Sequence, residues 1–486
     1  MASVDNLKIK ATSGVIWNFT ELMLRRGAGG LTTLVLAWFL TPGDFGLVAM
    51  MAVFLSLSNV LVDAGFSQAL IRKQTISSRD YNTAFYSNIA FAVIAYVGLF
   101  LAVPAIASFY GESRLVALVR VAGLAVIFTA LSAVQLAVLS RELKFRLQLQ
   151  VSLPAAVVSG LTAILLAYLG AGVWALIAQI LVQAMVTAVL YWALAIWRPS
   201  LSFGWAEFRT LFSFGGYLLL NQMTTVPFKY MYVIVIAKLF SAQLAGFYFF
   251  SQKIRDLLVE QLVSSVQTVT FPALATLQDD PKRLKNGYRQ VIAATTFLVF
   301  PGLIFLVALA ENLFHFFLPE SWWEATIYVQ LLCIAALMNP LNAINLNILK
   351  VTGRSDLVFY LGLFKKALAI GIFAVSFRYG IMAIIMGQIV HSVLAYLPNS
   401  HYSKRLIHYS VSEQLADILP SLMLAGSIGV LIWWLQNITA MHEIIELAVF
   451  GCGGVVAYII GAWILKLQAF DLAVELIKSR IKGKAS

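Results

Sequence analysis

The sequence has 486 residues, of which 61% are hydrophobic and 12% are charged, and its formal net charge is +12. An ordinary soluble domain carries about 25% charged residues, so this composition excludes a set of soluble domains. Two cysteines are too few for a disulfide framework, and no cysteine–histidine spacing indicates a metal site. The chain is therefore predicted to be a membrane protein without a metal or other cofactor.

Apolar runs near the length of a membrane span recur along almost the whole chain. A helix needs roughly 20 apolar residues to cross a bilayer, and fourteen runs approach that length. Short connections that often contain Gly or Pro join them. Polar residues interrupt the first, seventh and eighth runs. The predicted spans are 14–38, 45–66, 84–108, 116–139, 151–169, 173–197, 210–237, 242–266, 288–310, 324–349, 356–377, 380–399, 415–435 and 444–466.

Positive charge alternates between successive connections. The N-terminal segment, the even-numbered connections and the C-terminal tail together hold 22 lysines and arginines. The odd-numbered connections hold only Arg114, Lys238 and Arg378. Since cytoplasmic loops are the ones rich in Lys and Arg, both termini are predicted to be cytoplasmic. The basic residues are spread over many short loops, which excludes nucleic acid as a partner.

A sparse internal repeat suggests the domain organisation. An offset of 200 residues aligns Val35, Ala37, Gly46 and Asp80 with Val235, Ala237, Gly246 and Asp280. Each half also opens with two polar-interrupted spans and a basic loop, and parallel repeats are a known transporter plan. We therefore predict an all-α polytopic protein with two six-helix halves, 1–200 and 201–405, related by a pseudo-two-fold axis. Residues 406–486 are expected to add two helices and an amphipathic cytoplasmic tail.

Polar residues within four of the spans lie three or four positions apart. That spacing places them on one face of a helix. Under the proposed repeat, spans one and seven are equivalent, as are spans two and eight, so the four polar faces are expected to meet. The four sets are Asn18, Glu21, Arg25 and Thr32; Ser56, Asn59 and Asp63; Asn221, Thr225 and Lys229; and Lys253, Asp256, Glu260, Ser264 and Gln267.

Charges inside a membrane span need compensation. A charge at the helix centre costs roughly 2.5–3.5 kcal/mol on insertion scales. Glu21 lies one turn before Arg25, and Lys253 lies three residues before Asp256, so local pairing is expected to offset part of this cost. The remainder predicts water in a cleft between the two halves.

The residues of these faces predict two kinds of site. Guanidinium groups match phosphate oxygens, and the neighbouring amides and hydroxyls suit the hydroxyls of a sugar. Two close carboxylates raise one another's proton affinity, which suits ion coupling. The predicted substrate-binding residues are Arg25, Arg26, Asn221, Lys229, Lys253 and Arg255. The predicted ion-coupling residues are Glu21, Asp63, Asp256 and Glu260, with Glu260 as the preferred proton carrier.

Several of these residues have a structural alternative. Glu21 and Arg25 could form a pair that only joins helices, and Asp63 could be an exposed carboxylate at the membrane surface. Lys365 and Lys366 could lie at the inner interface if their span starts late. The asparagines of 339–347 are expected to form interhelical hydrogen bonds, with gating as the alternative.

Four segments carry a resemblance to a known family: LTPGDFGLVAMM (40–51), VDAGFSQALIRK (62–73), LAGFYFFSQK (244–253) and FPALATLQDD (271–280). The chain resembles the Wzx-type flippases, the polysaccharide-exporter branch of the multidrug/oligosaccharidyl-lipid/polysaccharide superfamily, and is most similar to colanic-acid-type exporters. The likeness extends to about residue 405.

The resemblance implies a substrate, a direction and a location. The substrate would be an undecaprenyl-pyrophosphate-linked oligosaccharide, moved from the inner to the outer leaflet of a bacterial inner membrane by alternating access. The product would serve capsule, exopolysaccharide or O-antigen lipopolysaccharide synthesis. Membrane lipids and a glycan polymerase are the further partners that it implies.

Three other classes of protein fit the sequence less well than a flippase. An ion-coupled multidrug exporter shares the superfamily fold, but it would want an acidic, aromatic-lined cavity. A membrane enzyme such as a glycan polymerase would need acid–base residues on a long outer loop, and no odd-numbered connection is long. A scaffold would not need four polar-striped helices. No Gly-rich phosphate loop is present, so an ion gradient or the gradient of the substrate itself must drive transport.

Overall fold

The computed structural model describes residues 2–194, 197–275, 277, 280–439 and 442–470. Within these ranges the regular structure is entirely helical. The helices are α1 (Ala2–Phe39), α2 (Pro42–Asp63), α3 (Phe66–Arg72), α4 (Ser78–Tyr110), α5 (Leu115–Arg141), α6 (Phe145–Tyr168), α7 (Val173–Leu194), α8 (Trp205–Leu239), α9 (Ala242–Ala275), α10 (Pro281–Phe317), α11 (Ala325–Ala336), α12 (Asn339–Val351), α13 (Ser355–Ser376), α14 (Ile381–Ile407), α15 (Val411–Gln436) and α16 (Glu443–Ile464). Two short 3₁₀ helices precede α11 and α14.

Eleven helical segments of the described chain are long and apolar enough to cross a membrane. They coincide with predicted spans two to six and nine to fourteen. The other three predicted spans fall on α1, α8 and α9, which have 38, 35 and 34 residues. These helices are long enough to span a membrane, and polar and charged residues interrupt their apolar sequence. The predicted all-α polytopic fold is confirmed, whereas the count of fourteen spans remains a prediction.

Capping residues fix where several helices begin. Thr41 and Asp44 form a reciprocal capping box at the start of α2, where the Asp44 carboxylate accepts the Thr41 N–H at 3.0 Å. Ser77 and Asp80 form the same motif at α4, and Ser410 forms it with Glu413 at α15. A Ser or Thr followed three residues later by an acid satisfies two backbone N–H groups that the helix leaves unpaired.

Two departures from the predicted elements have clear causes. Predicted span 324–349 is divided between α11 and α12, and the break precedes Pro340, which occupies the first turn of α12. Proline has no N–H and clashes with the preceding turn, so a continuous helix is disfavoured there. The sequence analysis also missed α3, which follows a turn made by Ala64 and Gly65 in the left-handed region.

The described helices pack into two compact units, Met1–Phe249 and Phe250–Ser486, which divide within α9. The core of the first unit includes Phe66, Phe85 and Leu211. The core of the second includes Tyr288 and Phe300. This division concerns packing and does not test the predicted repeat, so the halves 1–200 and 201–405 remain a prediction. Beyond Phe470, the predicted amphipathic tail lies outside the described residues.

Candidate functional site

The polar face of α1 contains an ion pair between a buried acid and an exposed base. Arg25 Nε donates to Glu21 Oε1 at 2.8 Å across one helical turn. Glu21 is 8% exposed, whereas Arg25 is exposed and Arg26 is half-buried. The predicted pair is confirmed, and it keeps the guanidinium of Arg25 accessible while its partner is packed among the helices.

The predicted face of α1 does not continue to Thr32. Thr32 is buried, and its hydroxyl donates to the carbonyl oxygen of Ala28 at 2.9 Å. A Cβ added to Gly160 on α6 would lie 2.6 Å from that hydroxyl oxygen, so α6 packs directly over Thr32. The accessible polar face of α1 therefore ends before Thr32, because α6 covers this residue.

Helices α2 and α8 meet through small and polar residues. Ser56 Oγ donates to the hydroxyl oxygen of Tyr230 at 3.0 Å. A Cβ on Gly215 would lie 2.4 Å from the carbonyl oxygen of Ala64, so only glycine allows α8 to approach the end of α2 this closely. Gly65 is required in turn, since it has a φ of +76° and faces the backbone of Gly215.

A cavity of about 240 Å³ lies beside this contact. Its wall combines amide side chains and one carboxylate from α2, α3 and α8 with the apolar side chains of Val60, Leu218 and Leu219. Planar amides and carboxylates are side chains that hydrogen-bond well to hydroxyl groups. The polar lining residues are Asn59, Asp63, Gln68, Asn221 and Gln222.

Asp63 lies at the end of α2 and also holds the turn into α3. Its Oδ1 accepts the backbone N–H of Ser67 at 3.1 Å and the hydroxyl of Ser67. The residue is half-buried and faces the cavity with Asn221. Asp63 therefore stabilises the turn into α3, and its carboxylate is also accessible from the cavity.

The polar face of α8 is exposed along its length. Asn221, Thr225 and Lys229, spaced by four residues, are all exposed. The hydroxyl of Thr225 donates to the carbonyl oxygen of Asn221 at 2.8 Å, so this threonine is satisfied by its own helix. Asn221 and Lys229 are the members of the face that keep polar side-chain atoms available for a ligand.

The predicted face of α9 contains an ion pair that the sequence analysis did not expect. Arg255 Nε donates to Asp256 Oδ1 at 2.9 Å, and both side chains are half-buried. Lys253 is exposed. The side chain of Glu260 lies outside the described part of the chain, so its place on this face remains a prediction. The same holds for the predicted meeting of the α9 face with α1 and α8.

Three polar residues near the predicted site were missed from the sequence. Gln68 and Gln222 line the cavity, and Tyr230 joins α8 to Ser56. Gln68 belongs to the unrecognised helix α3, so no helical spacing could place it. Gln222 and Tyr230 directly follow Asn221 and Lys229, and they stand one position outside the strict spacing of four.

Polar faces on long helices within an otherwise apolar helical fold are typical of a multi-pass membrane transporter. The family model described as polysaccharide biosynthesis protein matches residues 35–327. The chain belongs to this polysaccharide biosynthesis family, which agrees with the predicted resemblance.

Curated relatives match most of the chain. The chain is 24% identical to the lipopolysaccharide biosynthesis protein WzxC of Escherichia coli (strain K12), over 88% of this chain and 89% of the relative. It is also 24% identical to the teichuronic acid biosynthesis protein TuaB of Bacillus subtilis (strain 168), over 83% and 84%. The succinoglycan biosynthesis transport protein ExoT of Rhizobium meliloti (strain 1021) is 24% identical, over 74% and 73%.

Solved structures with the same fold include a lipid II flippase and a drug transporter. The flippase MurJ in an inward closed conformation has a TM-score of 0.73 and 14% identity, covering 93% of this chain and 98% of that one. An inward-facing multidrug resistance transporter of the MATE family has a TM-score of 0.63 and 14% identity, covering 82% and 100%. At this identity the likeness establishes the fold alone.

Proposed function

We propose that this chain is a flippase that moves an undecaprenyl-pyrophosphate-linked oligosaccharide from the inner to the outer leaflet by alternating access. The product would serve capsule, exopolysaccharide or O-antigen synthesis. Family membership supports the link to polysaccharides, and the relatives WzxC, TuaB and ExoT are named for the biosynthesis of such polymers. The fold shared with MurJ supports a path large enough for a lipid-linked head group.

One observation supports transport most directly. Three helices long enough to span a membrane, α1, α8 and α9, carry polar and charged residues at a spacing of three or four along one face. Polar residues at membrane depth are costly unless they face water, a partner or a ligand. Three such helices in one chain therefore favour a water-filled path, which a structural membrane protein would not require.

We assign roles on this path by chemistry. The guanidinium and ammonium groups of the predicted substrate-binding residues bind the diphosphate. The amide side chains that line the cavity beside Asn221 bind sugar hydroxyls. The assigned cations are Arg25, Arg26, Lys229, Lys253 and Arg255. Arg25, Lys229 and Lys253 are the members of this set that are exposed, on α1, α8 and α9 respectively.

Ion coupling is assigned to the acids of the same helices. Glu21, Asp63 and Asp256 are each engaged by a neighbouring donor, as described above. Glu260 lies one turn beyond Asp256 on α9, and we propose it as the residue that takes up and releases a proton. A pH gradient would then drive movement of the substrate, since the chain has no phosphate loop for a nucleotide.

The proposed setting follows from the same argument. The protein would lie in a bacterial inner membrane with both termini in the cytoplasm, where lipid-linked repeat units are assembled. It would contact membrane lipids throughout, hand its product to a glycan polymerase, and bind no nucleic acid. It would move its substrate without changing a covalent bond, and so would not be an enzyme.

Multidrug export is the second candidate, because a MATE-family transporter shares the fold. The cations on α1 and α8 disfavour it, since a cationic drug would be repelled by them. Vesicles that contain the protein should therefore show no ion-driven uptake of ethidium. Ethidium uptake above that of empty vesicles, together with no effect on lipid-linked glycans, would favour the exporter.

The proposed function is tested in cells by deletion of the gene. Lipid-linked oligosaccharide should accumulate, and it should remain protected from a membrane-impermeant periodate reagent applied to the outer face of the inner membrane. Restoration of the full-length gene should return periodate sensitivity. Unchanged sensitivity in the deletion strain would contradict a flippase role.

A further inference from the structure

A cavity of about 360 Å³ lies where the N-terminal halves of α10 and α15 meet the end of α16. This end of the three helices is the one that the distribution of Lys and Arg predicts to be cytoplasmic. Ligand pockets are typically about 300–1,000 Å³, so the cavity has room for a small head group. Its wall includes Ala293, Asp417, Pro420, Ser421, Lys466 and Gln468.

Lys466 lies at the boundary between the hydrocarbon and head-group layers of a membrane. It follows the last turn of α16, which has 22 residues and is therefore about 33 Å long. A hydrocarbon layer is about 30 Å thick, so α16 just crosses it. Leu465, in the wall of the cavity, and Leu419, one residue before Pro420, are both exposed. The cavity is therefore at head-group depth, beside apolar side chains on which acyl chains can pack.

The acid in this wall already has partners, whereas the lysine has none among the described residues. Asp417 Oδ1 accepts from Arg289 Nη2 at 2.6 Å, and its Oδ2 accepts the hydroxyl of Tyr409 at 2.7 Å. Lys466 is exposed, and no carboxylate of the described chain lies within ion-pair distance of its ammonium. Because Asp417 and Arg289 neutralise one another, the wall keeps the positive charge of Lys466.

Lys466 also occupies a backbone position that favours glycine. Its φ is +49°, and the N–H of Leu467 donates to the carbonyl oxygen of Ala462 at 3.0 Å, which ends α16 in a Schellman motif. Glycine is the usual residue at that left-handed position, because a Cβ is disfavoured there. A lysine at a position that disfavours side chains indicates a role for its ammonium group.

We propose that this cavity binds the phosphate of an anionic phospholipid of the inner leaflet, with Lys466 as its charged contact. The hydroxyl of Ser421 and the amide of Gln468 are the further hydrogen-bond donors in the wall. Basic pockets between membrane helices on the cytoplasmic side suit anionic head groups. Inorganic phosphate shares this chemistry, but the exposed leucines beside the cavity favour a lipid.

The bound lipid would join the end of α16 to α10 and α15, and would therefore stabilise the folded second unit. The inference does not rest on the proposed function, since lipid binding at this cavity requires no transport.

The test is the melting temperature of delipidated full-length protein in a neutral detergent, with and without phosphatidylglycerol. This lipid should raise the melting temperature of the parent by about 3 °C or more, because a ligand that binds only the folded state stabilises it. Phosphatidylcholine is zwitterionic, and inorganic phosphate has no acyl chains. At the same concentration, each should give less than about one third of that shift.

Variants at one position separate the ammonium from the backbone. Lys466→Gln and Lys466→Gly should both lose the response to phosphatidylglycerol, whereas Lys466→Arg should retain it. Glycine suits the left-handed position, so Lys466→Gly keeps the test valid if the glutamine variant is unstable. Lys282→Gln, at an exposed lysine in the first turn of α10, is the matched control and should respond as the parent.

The other outcomes each overturn a defined statement. No shift of the parent, or an unchanged response in both uncharged Lys466 variants, would reject the site and leave Lys466 as a charge that only complements the end of α16. An equal loss in Lys282→Gln would replace a defined site with diffuse attraction of anionic lipid. An equal shift with inorganic phosphate would reject the lipid, and an equal shift with phosphatidylcholine would reject the anionic head group.

Discussion

Gly46 on α2 and Gly246 on α9 each contact the first residue of the other's helix. A Cβ on Gly46 would lie 1.7 Å from the carbonyl oxygen of Ala242, and a Cβ on Gly246 would lie 1.8 Å from that of Pro42. Both the glycines and the residues they contact are 200 positions apart. The offset that aligns the sequence therefore also relates the two contacts, which is the strongest local support for an internal repeat.

This contact predicts that alanine is not tolerated at either glycine. Gly46→Ala and Gly246→Ala should each destabilise the protein by about 1–3 kcal/mol or more, because a methyl group would overlap a backbone carbonyl that cannot move aside. The measurement is the melting temperature of the purified protein in detergent. Gly98→Ala is the control, since no atom lies within 4 Å of the added Cβ. Parent-like melting of both variants would contradict the reciprocal contact.

Much of the helical fold could be predicted from the sequence, because apolar length alone defines the eleven apolar spans. The sequence also predicted helices at the positions of α1, α8 and α9, although polar residues that suit transport interrupt their apolar runs. The prediction failed at α3, since a seven-residue helix after a left-handed turn has no periodic signal long enough to detect.

The candidate site was only partly predictable. Spacing of four residues correctly paired Glu21 with Arg25, because the two are neighbours on one helix. Spacing could not show that Thr32 is covered by α6, nor that Gln68 joins the cavity from another helix. Such contacts depend on tertiary packing, which no single helix encodes.

A buried amide network confirms the hydrogen-bonding role expected for the asparagines of α12. Asn345 Nδ2 donates to Gln414 Oε1 at 2.8 Å, and the hydroxyl of Tyr396 donates to the same oxygen at 2.9 Å. Gln414→Ala should leave buried polar groups unpaired and cost about 1–2 kcal/mol. Gln150→Ala, the same change at an exposed residue of α6, should have little effect. Equal melting temperatures for the two variants would contradict a contribution of this network to stability.

The transmembrane orientation can be tested with reporter fusions. A fusion at Ser77, before α4, should report the cytoplasm, and one at Asn437, after α15, should report the outside. The expectation follows from the excess of Lys and Arg in the even-numbered connections. A phosphatase and a fluorescent protein, each fused at both sites, provide opposite readouts. The same side for both sites would refute the predicted topology.

Proton coupling through Glu260 predicts a loss of response to a pH gradient. In sealed vesicles, an imposed gradient should accelerate movement of the lipid-linked oligosaccharide by the parent protein. Glu260→Gln should abolish that acceleration, because an amide cannot exchange a proton in this range. Glu311→Gln, at an exposed acid of α10, is the control. An unchanged response in Glu260→Gln would leave facilitated flipping or a sodium site as the better explanation.

The most direct test of the central claim is a flipping assay with purified protein. Lipid-linked oligosaccharide placed in both leaflets of vesicles is oxidised from outside, and the protected fraction is followed over time. With the parent protein, that fraction should fall from about half towards zero, because inner-leaflet substrate reaches the outside. Lys229→Ala should remain near half although it folds normally, since Lys229 is exposed on the polar face of α8. A parent fraction that stays near half, as in protein-free vesicles, would contradict the claim that this chain is a flippase.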